Sequence, residues 1–378
     1  MIPQANRILD IEMGFAKFFS MRTPDLVDLS VGEPGFDTPE HIKKAAWDSM
    51  SRGNIRYAPP LGNEDLRELI SARYLEDHGV QSAKDNVMIS HGAKGIIYAL
   101  MQSIVQQGDE VIVQDPGWVS YTQIIKLAEG TPVPARATGP EEFLTDVEAK
   151  ITKKTKAVVF SSPSNPTGQV YGERVMKKLV ELSREHNFLL ISDEPYHKII
   201  FGEAGHASAG KWGLENVAVV NSFSKTYAMS GWRIGYIIAE KYIVDGMKKV
   251  QMHQSTSVAP FIQDAAKHAL KNDREGIDER LRIYQKRRDL FISSLRKELR
   301  GPLPEATFYY FTKTSLSGID GSAFVNKMIE NKVLAVPGFL FGGYANDYVR
   351  FSFAKEEEQL KLGAERINKT FEQLEAGI

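Results

Sequence analysis

Asn221-Ser222-Phe223-Ser224-Lys225-Thr226-Tyr227-Ala228-Met229-Ser230-Gly231-Trp232-Arg233-Ile234-Gly235 is the most informative stretch of the chain. A short apolar run, 217–221, leads into Ser-x-Ser-Lys, and an arginine follows eight residues after the lysine. The pattern predicts a strand that ends in a loop carrying a positioned amine. An amine that attacks an aldehyde must be held rigidly and kept partly deprotonated, which nearby cations favour. Two hydroxyls and a guanidinium beside it can hold a phosphate dianion. An isolated Ser-Lys pair would be an ordinary exposed loop; the whole string favours the chemical reading.

Similar apolar runs lie at 87–90, 111–114, 157–161, 188–192 and 234–239. They are short, rich in Val, Ile and Phe, and bounded by Gly, Pro, Asp or Ser. Continuous apolar runs fit strands buried on both faces, as in a parallel sheet covered by helices. Helical periodicity fills the gaps at 95–106, 173–186 and 242–251, with Val175, Leu179 and Leu182 on one face. Strand alternating with helix predicts an α/β fold with a mostly parallel sheet. After about residue 273 the texture changes. A long charged helix over 277–299, strands at 308–312 and 348–353, and helices at 322–331 and the C-terminus predict a smaller α+β unit. The expected division is an N-terminal segment 1–40 packing with the small unit, a large domain 41–275 and a small domain 276–378.

The chemical signals sit at the C-terminal ends of predicted strands, where open α/β sheets bind ligands. Ser192-Asp193-Glu194-Pro195-Tyr196 closes one. Asp193 there is either a helix cap or the partner of a protonated ring nitrogen, with Tyr196 beside it. Ser161-Ser162-Pro163-Ser164-Asn165-Pro166-Thr167-Gly168 follows another, a rigid turn that can aim the Asn165 amide. Ser90-His91-Gly92-Ala93-Lys94-Gly95 places small residues at a helix N-terminus, where free N–H groups attract phosphate. No role is assigned to His91. Trp118 follows the run at 111–114 and is either a core residue or a stacking surface for a flat ring. Arg350 lies within the apolar string Tyr348-Val349-Arg350-Phe351-Ser352-Phe353. A buried charge needs an anionic partner, either an internal carboxylate or a substrate carboxylate.

Composition narrows the field. Of 378 residues, 42% are hydrophobic, enough for a substantial core in two or three domains. Lys and Arg number 47 against 48 Asp and Glu, a net charge of −1 that carries no global bias toward nucleic acid or membrane. The chain has no cysteine, so disulfides, thiolate nucleophiles and cysteine-held metals are excluded. No run approaches the ~18 apolar residues of a membrane helix, and the N-terminus lacks a signal-peptide pattern. A cytoplasmic protein without a metal centre is expected.

Taken together, Ser-x-Ser-Lys with Gly-Trp-Arg-x-Gly, Asp-Glu-x-Tyr and Asn-Pro-Thr-Gly, in that spatial role and expected order, resemble the class I/II aminotransferases of pyridoxal-phosphate (PLP) fold type I. The likeness runs from about Leu29 to Phe353 and is nearest to the aspartate aminotransferase branch of bacteria and archaea. It implies a mostly parallel central sheet in a large domain, a smaller α+β domain, and PLP held covalently by Lys225. It further implies Asp193 on the pyridine nitrogen, Tyr196 and Asn165 on the phenolic oxygen, and Trp118 on the ring. The phosphate would take backbone N–H groups at Ala93 and Lys94, the side chains of Ser222, Ser224 and Arg233, and Tyr57 from a second subunit of a homodimer. Arg350, Gly32 and Asn165 would grip the α-carboxylate. Amino acid and 2-oxo acid would exchange in a ping-pong cycle, with Lys225 moving the Cα proton.

By the same resemblance, Lys94 matches a residue that binds a distal carboxylate in some aspartate-using relatives. The segment Leu9-Asp10-Ile11-Glu12-Met13-Gly14-Phe15 lacks their small hydroxyl residues and leaves an aromatic or broad donor range open. Thr307 stands where the family often has Gly-Ala. A carbon–sulfur β-lyase on the same fold would use the same Lys225 and Asp193. A non-catalytic regulator, which would carry an added DNA-binding domain, is not expected, since the motifs begin near Gly32.

Overall fold

The computed structural model describes residues 2–14, 23–272, 276–316 and 318–377. Its strands, in chain order, are β1 (Val27–Asp28), β2 (Val87–Ser90), β3 (Glu110–Asp115), β4 (Thr131–Arg136), β5 (Thr155–Ser161), β6 (Leu189–Asp193), β7 (Val217–Ser222), β8 (Gly235–Ile238), β9 (Tyr309–Lys313), β10 (Val333–Leu334), β11 (Val336–Pro337) and β12 (Tyr348–Ser352). Seven form the main sheet in the order β2-β8-β7-β6-β5-β3-β4. Within it β8 alone runs backwards, antiparallel to both β2 and β7, while the remaining pairs are parallel.

Side chains alternate across a strand, and both faces of this sheet are covered. Val158 and Phe160 enter one core, with Ile112, Leu190 and Val219. Ala157 and Val159 enter the other, with Val113, Ile191 and Val220. That is why the runs are continuously apolar. The helix Gly92–Ile104 buries Ile96, Ile97, Leu100 and Met101 against the second face. The helix Glu173–Glu185 buries Val175, Leu179 and Leu182 against the first. Each such aliphatic side chain contributes roughly 1.5–3 kcal/mol on leaving water.

β4 was not expected from the pattern. Its sequence holds Pro132 and Pro134, and it pairs only with β3 at the sheet edge. An edge strand needs ladder donors on one side only, so proline is tolerated there. The long C-terminal-unit helix also stops earlier than its apolar stripe suggests, at Ile277–Ser294. Ser294 Oγ donates to the Leu290 carbonyl at 2.7 Å, Leu295 turns extended, and a short 3-10 turn, Lys297–Leu299, follows. Serines that bond back to the helix carbonyls weaken its last turn.

A third core gathers Phe291, Phe324, Phe351, Ile367 and Phe371 around a three-stranded antiparallel sheet, β11-β12-β9. Val27 and Leu29 belong to this core, and β1 pairs with β10. The chain's beginning is thereby tied to its C-terminal part. Among the described residues no helix is long and apolar enough to cross a membrane.

Candidate active site

β2, β7, β6, β5 and β3 end on the same side of the sheet, and the reversed β8 starts there. Their loops line a cavity of about 290 Å³. The second unit closes it with Tyr309, Val336 and Arg350, and residues 30–33, which follow β1, form another wall.

Lys225 leaves β7 at this end, and its Nζ donates to the Gly32 carbonyl. Burial, with Arg350 and Arg233 nearby, lowers its pKa from the ordinary 10.5 to about 8, against the pull of Glu33 and Asp193. Near neutral pH a useful fraction of the amine is therefore free. Asp193 ends β6 almost fully buried. Burial raises its carboxyl to about 7, while the hydrogen bond from Tyr121 and the charge of Lys225 oppose the rise. Tyr121 Oη donates to Asp193 Oδ2 at 2.6 Å. Asp193 Oδ1 is buried and has no hydrogen-bond partner among the described residues. A buried carboxylate oxygen left bare is costly unless something cationic meets it.

The anion cradle lies beside the amine. Ser222 and Ser224 are buried cavity residues. The helix Gly92–Ile104 begins against them, with Ala93 and Lys94 in its first turn. Two glycines permit the approach. At Gly92, whose φ is +72°, a Cβ would lie 2.9 Å from an Arg233 guanidinium nitrogen. At Gly235 a Cβ would lie 3.0 Å from the Ala93 nitrogen. Arg233 itself takes a left-handed φ of 53° and donates to the Ser230 carbonyl at 2.7 Å.

Arg350 projects from β12, almost fully buried. It donates to Asn165 Oδ1 at 3.0 Å and to the Ser30 carbonyl at 2.6 Å. Its guanidinium lies 4.3 Å from the centre of the Tyr309 ring and 4.9 Å from that of Phe341. Tyr196 Oη and Tyr309 Oη are 2.9 Å apart. Trp118 meets Tyr121 edge to face at 5.2 Å, and Lys94 Nζ lies 5.1 Å from the Trp118 ring. Partial burial and Arg233 lower the Lys94 pKa.

Of the residues singled out in the sequence, Gly32, Ala93, Lys94, Trp118, Asn165, Asp193, Tyr196, Ser222, Ser224, Lys225, Arg233 and Arg350 all line this one cavity. Tyr57 does not; it is 91% exposed on the same chain. His91 stays outside the cavity lining and its Nδ1 meets Ser255 Oγ at 3.2 Å. Leu9 and Ile11, in the segment that leaves the donor range open, line a separate cleft with Lys126 and Glu129, and Phe15 lies outside the described residues. Pattern reading missed Tyr121, Tyr309, Ser161 and Glu33, which also line the cavity. Tyr121 had a signal: it stands three residues after Trp118, and its backbone N–H closes a turn on the Trp118 carbonyl at 3.0 Å. Among the described residues no His, Asp or Glu cluster could hold a metal.

Comparison with known proteins fits this geometry. The family model described as aminotransferase class I and II matches residues 24–367. A probable aspartate aminotransferase of Methanocaldococcus jannaschii is 36% identical over 94% of this chain and 96% of its own length. The aspartate/prephenate aminotransferase of Thermus thermophilus is 37% identical over 91% of this chain and 90% of its own. The solved aspartate aminotransferase from Thermus thermophilus with maleate superposes with a TM-score of 0.93 at 36% identity, covering 98% of this chain and all (100%) of that one. The chain belongs to the class I and II aminotransferases. It is a PLP-dependent enzyme that moves amino groups between amino acids and 2-oxo acids. Its residues suit that cofactor: Asp193 Oδ1 is a bare buried acceptor for a ring N–H, and the glycine-lined helix N-terminus beside Arg233 is open to a phosphate.

Proposed function

We propose that this aminotransferase exchanges the amino group between aspartate and 2-oxoglutarate in a ping-pong cycle. The observation that carries this is Lys94, a cation on the cavity wall with no ion-pair partner among the described residues. A side chain so placed suits a distal carboxylate, and the Thermus relative was solved with maleate, itself a dicarboxylate.

Bound PLP supplies the aldehyde that takes up the amino group and a ring that draws electrons from Cα. The rest is done by side chains. Lys225 Nζ would anchor the cofactor and, once free, would serve as the base for the substrate Cα proton. Asp193 would keep the ring nitrogen protonated, Tyr196 and Asn165 would hydrogen-bond the phenolic oxygen, and Trp118 would cover the ring. Ser222, Ser224, Arg233 and the Ala93 and Lys94 backbone hold the phosphate. Arg350, with Gly32 and Asn165, takes the α-carboxylate in a two-pronged grip that a planar guanidinium provides and an ammonium does not.

Two substitutions separate the two carboxylate sites. Lys94→Met should lower kcat/KM for aspartate and 2-oxoglutarate about tenfold or more, since a charged hydrogen bond is worth roughly 1.5–3 kcal/mol, and should spare phenylalanine and tyrosine. Arg350→Lys should instead weaken every donor. Equal losses for all donors in Lys94→Met would assign Lys94 to the phosphate or to folding. No loss for aspartate would favour the aromatic or broad donor range.

The same reading makes the working form a homodimer. Tyr57 is almost fully exposed, and Trp47 and Ile55 near it are each 67% exposed. Large apolar side chains left exposed in this way suit burial against a partner subunit, and Tyr57 would reach the partner's phosphate. Sedimentation should give twice the chain mass, and Tyr57→Phe should weaken PLP binding without dissociating the pair; a monomeric, fully active enzyme would end this reading. The division 1–40, 41–275 and 276–378 follows the change in sequence texture; the core that Val27 and Leu29 share with the C-terminal unit supports packing the first segment there, and limited proteolysis checks the boundaries. A cytoplasmic location, which cell fractionation tests, suits a chain without cysteine.

A further inference from the structure

Tyr309 has no part in the scheme above, yet it touches both of its halves. Its hydroxyl meets Tyr196 Oη, and its ring lies under the Arg350 guanidinium. It comes from β9, in the unit opposite Tyr196. Three features hold it there. Thr307 Oγ1 accepts the Tyr309 N–H at 3.1 Å from a left-handed turn with φ of 70°. The Tyr309 ring packs edge-on against Tyr196 at 5.8 Å and tilted against Phe308 at 4.8 Å. Gly32 leaves the space its hydroxyl needs, since a Cβ there would lie 2.6 Å from Tyr309 Oη.

The direction of the Tyr196–Tyr309 bond matters because a phenol has one proton and can accept through its lone pairs. If Tyr196 donates to Tyr309, it keeps nothing for the cavity. If Tyr309 donates, Tyr196 is satisfied as an acceptor and its own proton stays free. Arg350 tips the balance. A guanidinium over the Tyr309 ring favours negative charge on that phenol and so makes it the better donor. The charged groups facing the pair are Arg350, Asp193, Glu33 and Lys225, and Arg350 is the one stacked on Tyr309.

We infer that Tyr309 is a positioning residue: by donating to Tyr196 Oη it keeps the Tyr196 proton aimed at the cofactor's phenolic oxygen, and through Arg350 on its ring it links that proton to the carboxylate grip. The inference rests on the roles proposed for Tyr196 and Arg350. It gives Thr307, the departure from the family's usual Gly-Ala, a task as the anchor of the Tyr309 backbone.

The test uses the PLP-loaded enzyme and its visible absorbance as a function of pH. A hydrogen bond to the phenolic oxygen favours the anionic form of the bound cofactor and lowers the pH midpoint of its absorbance change. Tyr309→Phe keeps the ring and the Arg350 contact and removes only the hydroxyl. It should raise the midpoint by about 0.3–1 unit, a twofold to tenfold change expected for one neutral hydrogen bond. Tyr196→Phe should raise it at least as much. The double variant should sit where Tyr196→Phe sits, because Tyr309 acts through Tyr196. A packing role alone would lower the melting temperature of Tyr309→Phe and leave the midpoint in place, and that result overturns the inference while the Tyr196 assignment stands. Additive shifts in the double variant overturn it too. An unmoved midpoint in Tyr196→Phe removes the Tyr196 assignment, and this inference with it.

Discussion

Lys225→Ala abolishes transamination, by at least the 10²- to 10⁴-fold that a positioned proton-transfer group contributes, and by more because the cofactor's covalent anchor goes with it. The protein should still fold, since Lys225 lines the cavity and its Nζ donates only to the Gly32 carbonyl of a loop among the hydrogen bonds of the described residues. Some PLP should remain, held by the anion cradle around Arg233. Borohydride reduction of the wild-type holoenzyme, followed by peptide mass spectrometry, should find the pyridoxyl group on Lys225; finding it on any other lysine refutes the assignment. The depressed pKa adds a pH signature. Below its pKa the amine is an ammonium with no lone pair, and above it the amine can attack. PLP uptake by the cofactor-free enzyme should therefore accelerate with rising pH around a midpoint of about 8. A midpoint near the ordinary lysine value would mean that burial and the neighbouring arginines do not tune this group.

Asp193→Asn is the second large loss. The amide keeps the shape and can still accept from Tyr121, but it carries no charge to hold a proton on the ring nitrogen. Each pKa unit lost by that nitrogen is about 1.4 kcal/mol. A loss of two units passed on to the proton-abstraction step is about a hundredfold in kcat. PLP affinity should also fall, because Asp193 Oδ1 loses the cation that its bare, buried position calls for. Single-turnover rates with aspartate, measured alongside PLP dissociation, check both effects. A variant that binds PLP and turns over at the wild-type rate is incompatible with the assignment.

The central sheet was legible because its strands are buried on both faces. Residues such as Val158 and Val159 enter opposite cores, so neither could be polar and the run stood out. The cofactor side of the site was legible for a related reason. Asp193 closes a buried strand, Lys225 and Asn165 follow theirs within a few residues, and the strand itself marks where the loop begins. β4 was hidden because an edge strand may carry Pro132 and Pro134 and be mostly open to solvent. β1 and β10 are two residues each, too short to show a period.

The residues that went unread act across the fold rather than along the chain. Tyr121 is an ordinary aromatic in its own helix; its meaning comes from Asp193, 72 positions away. Tyr309 gains its place from Tyr196, 113 positions away, and from Arg350. No local period encodes such pairs.

The reversal of β8 has a consequence for how this enzyme can change. A parallel neighbour of β7 would have required a crossover to the far end of the sheet. Instead the chain doubles back, Ser222 pairs with Gly235, and residues 223–234 form a closed loop with both stems locked into the ladder. Amine, hydroxyls and guanidinium thus travel as one cassette whose internal spacing tolerates no insertion. Arg350 and Tyr309 belong to another sheet, and Lys94 to a helix start. Donor preference, which rests on Lys94, is therefore free to drift at that helix start while the cassette stays constant, which gives one scaffold room to diversify.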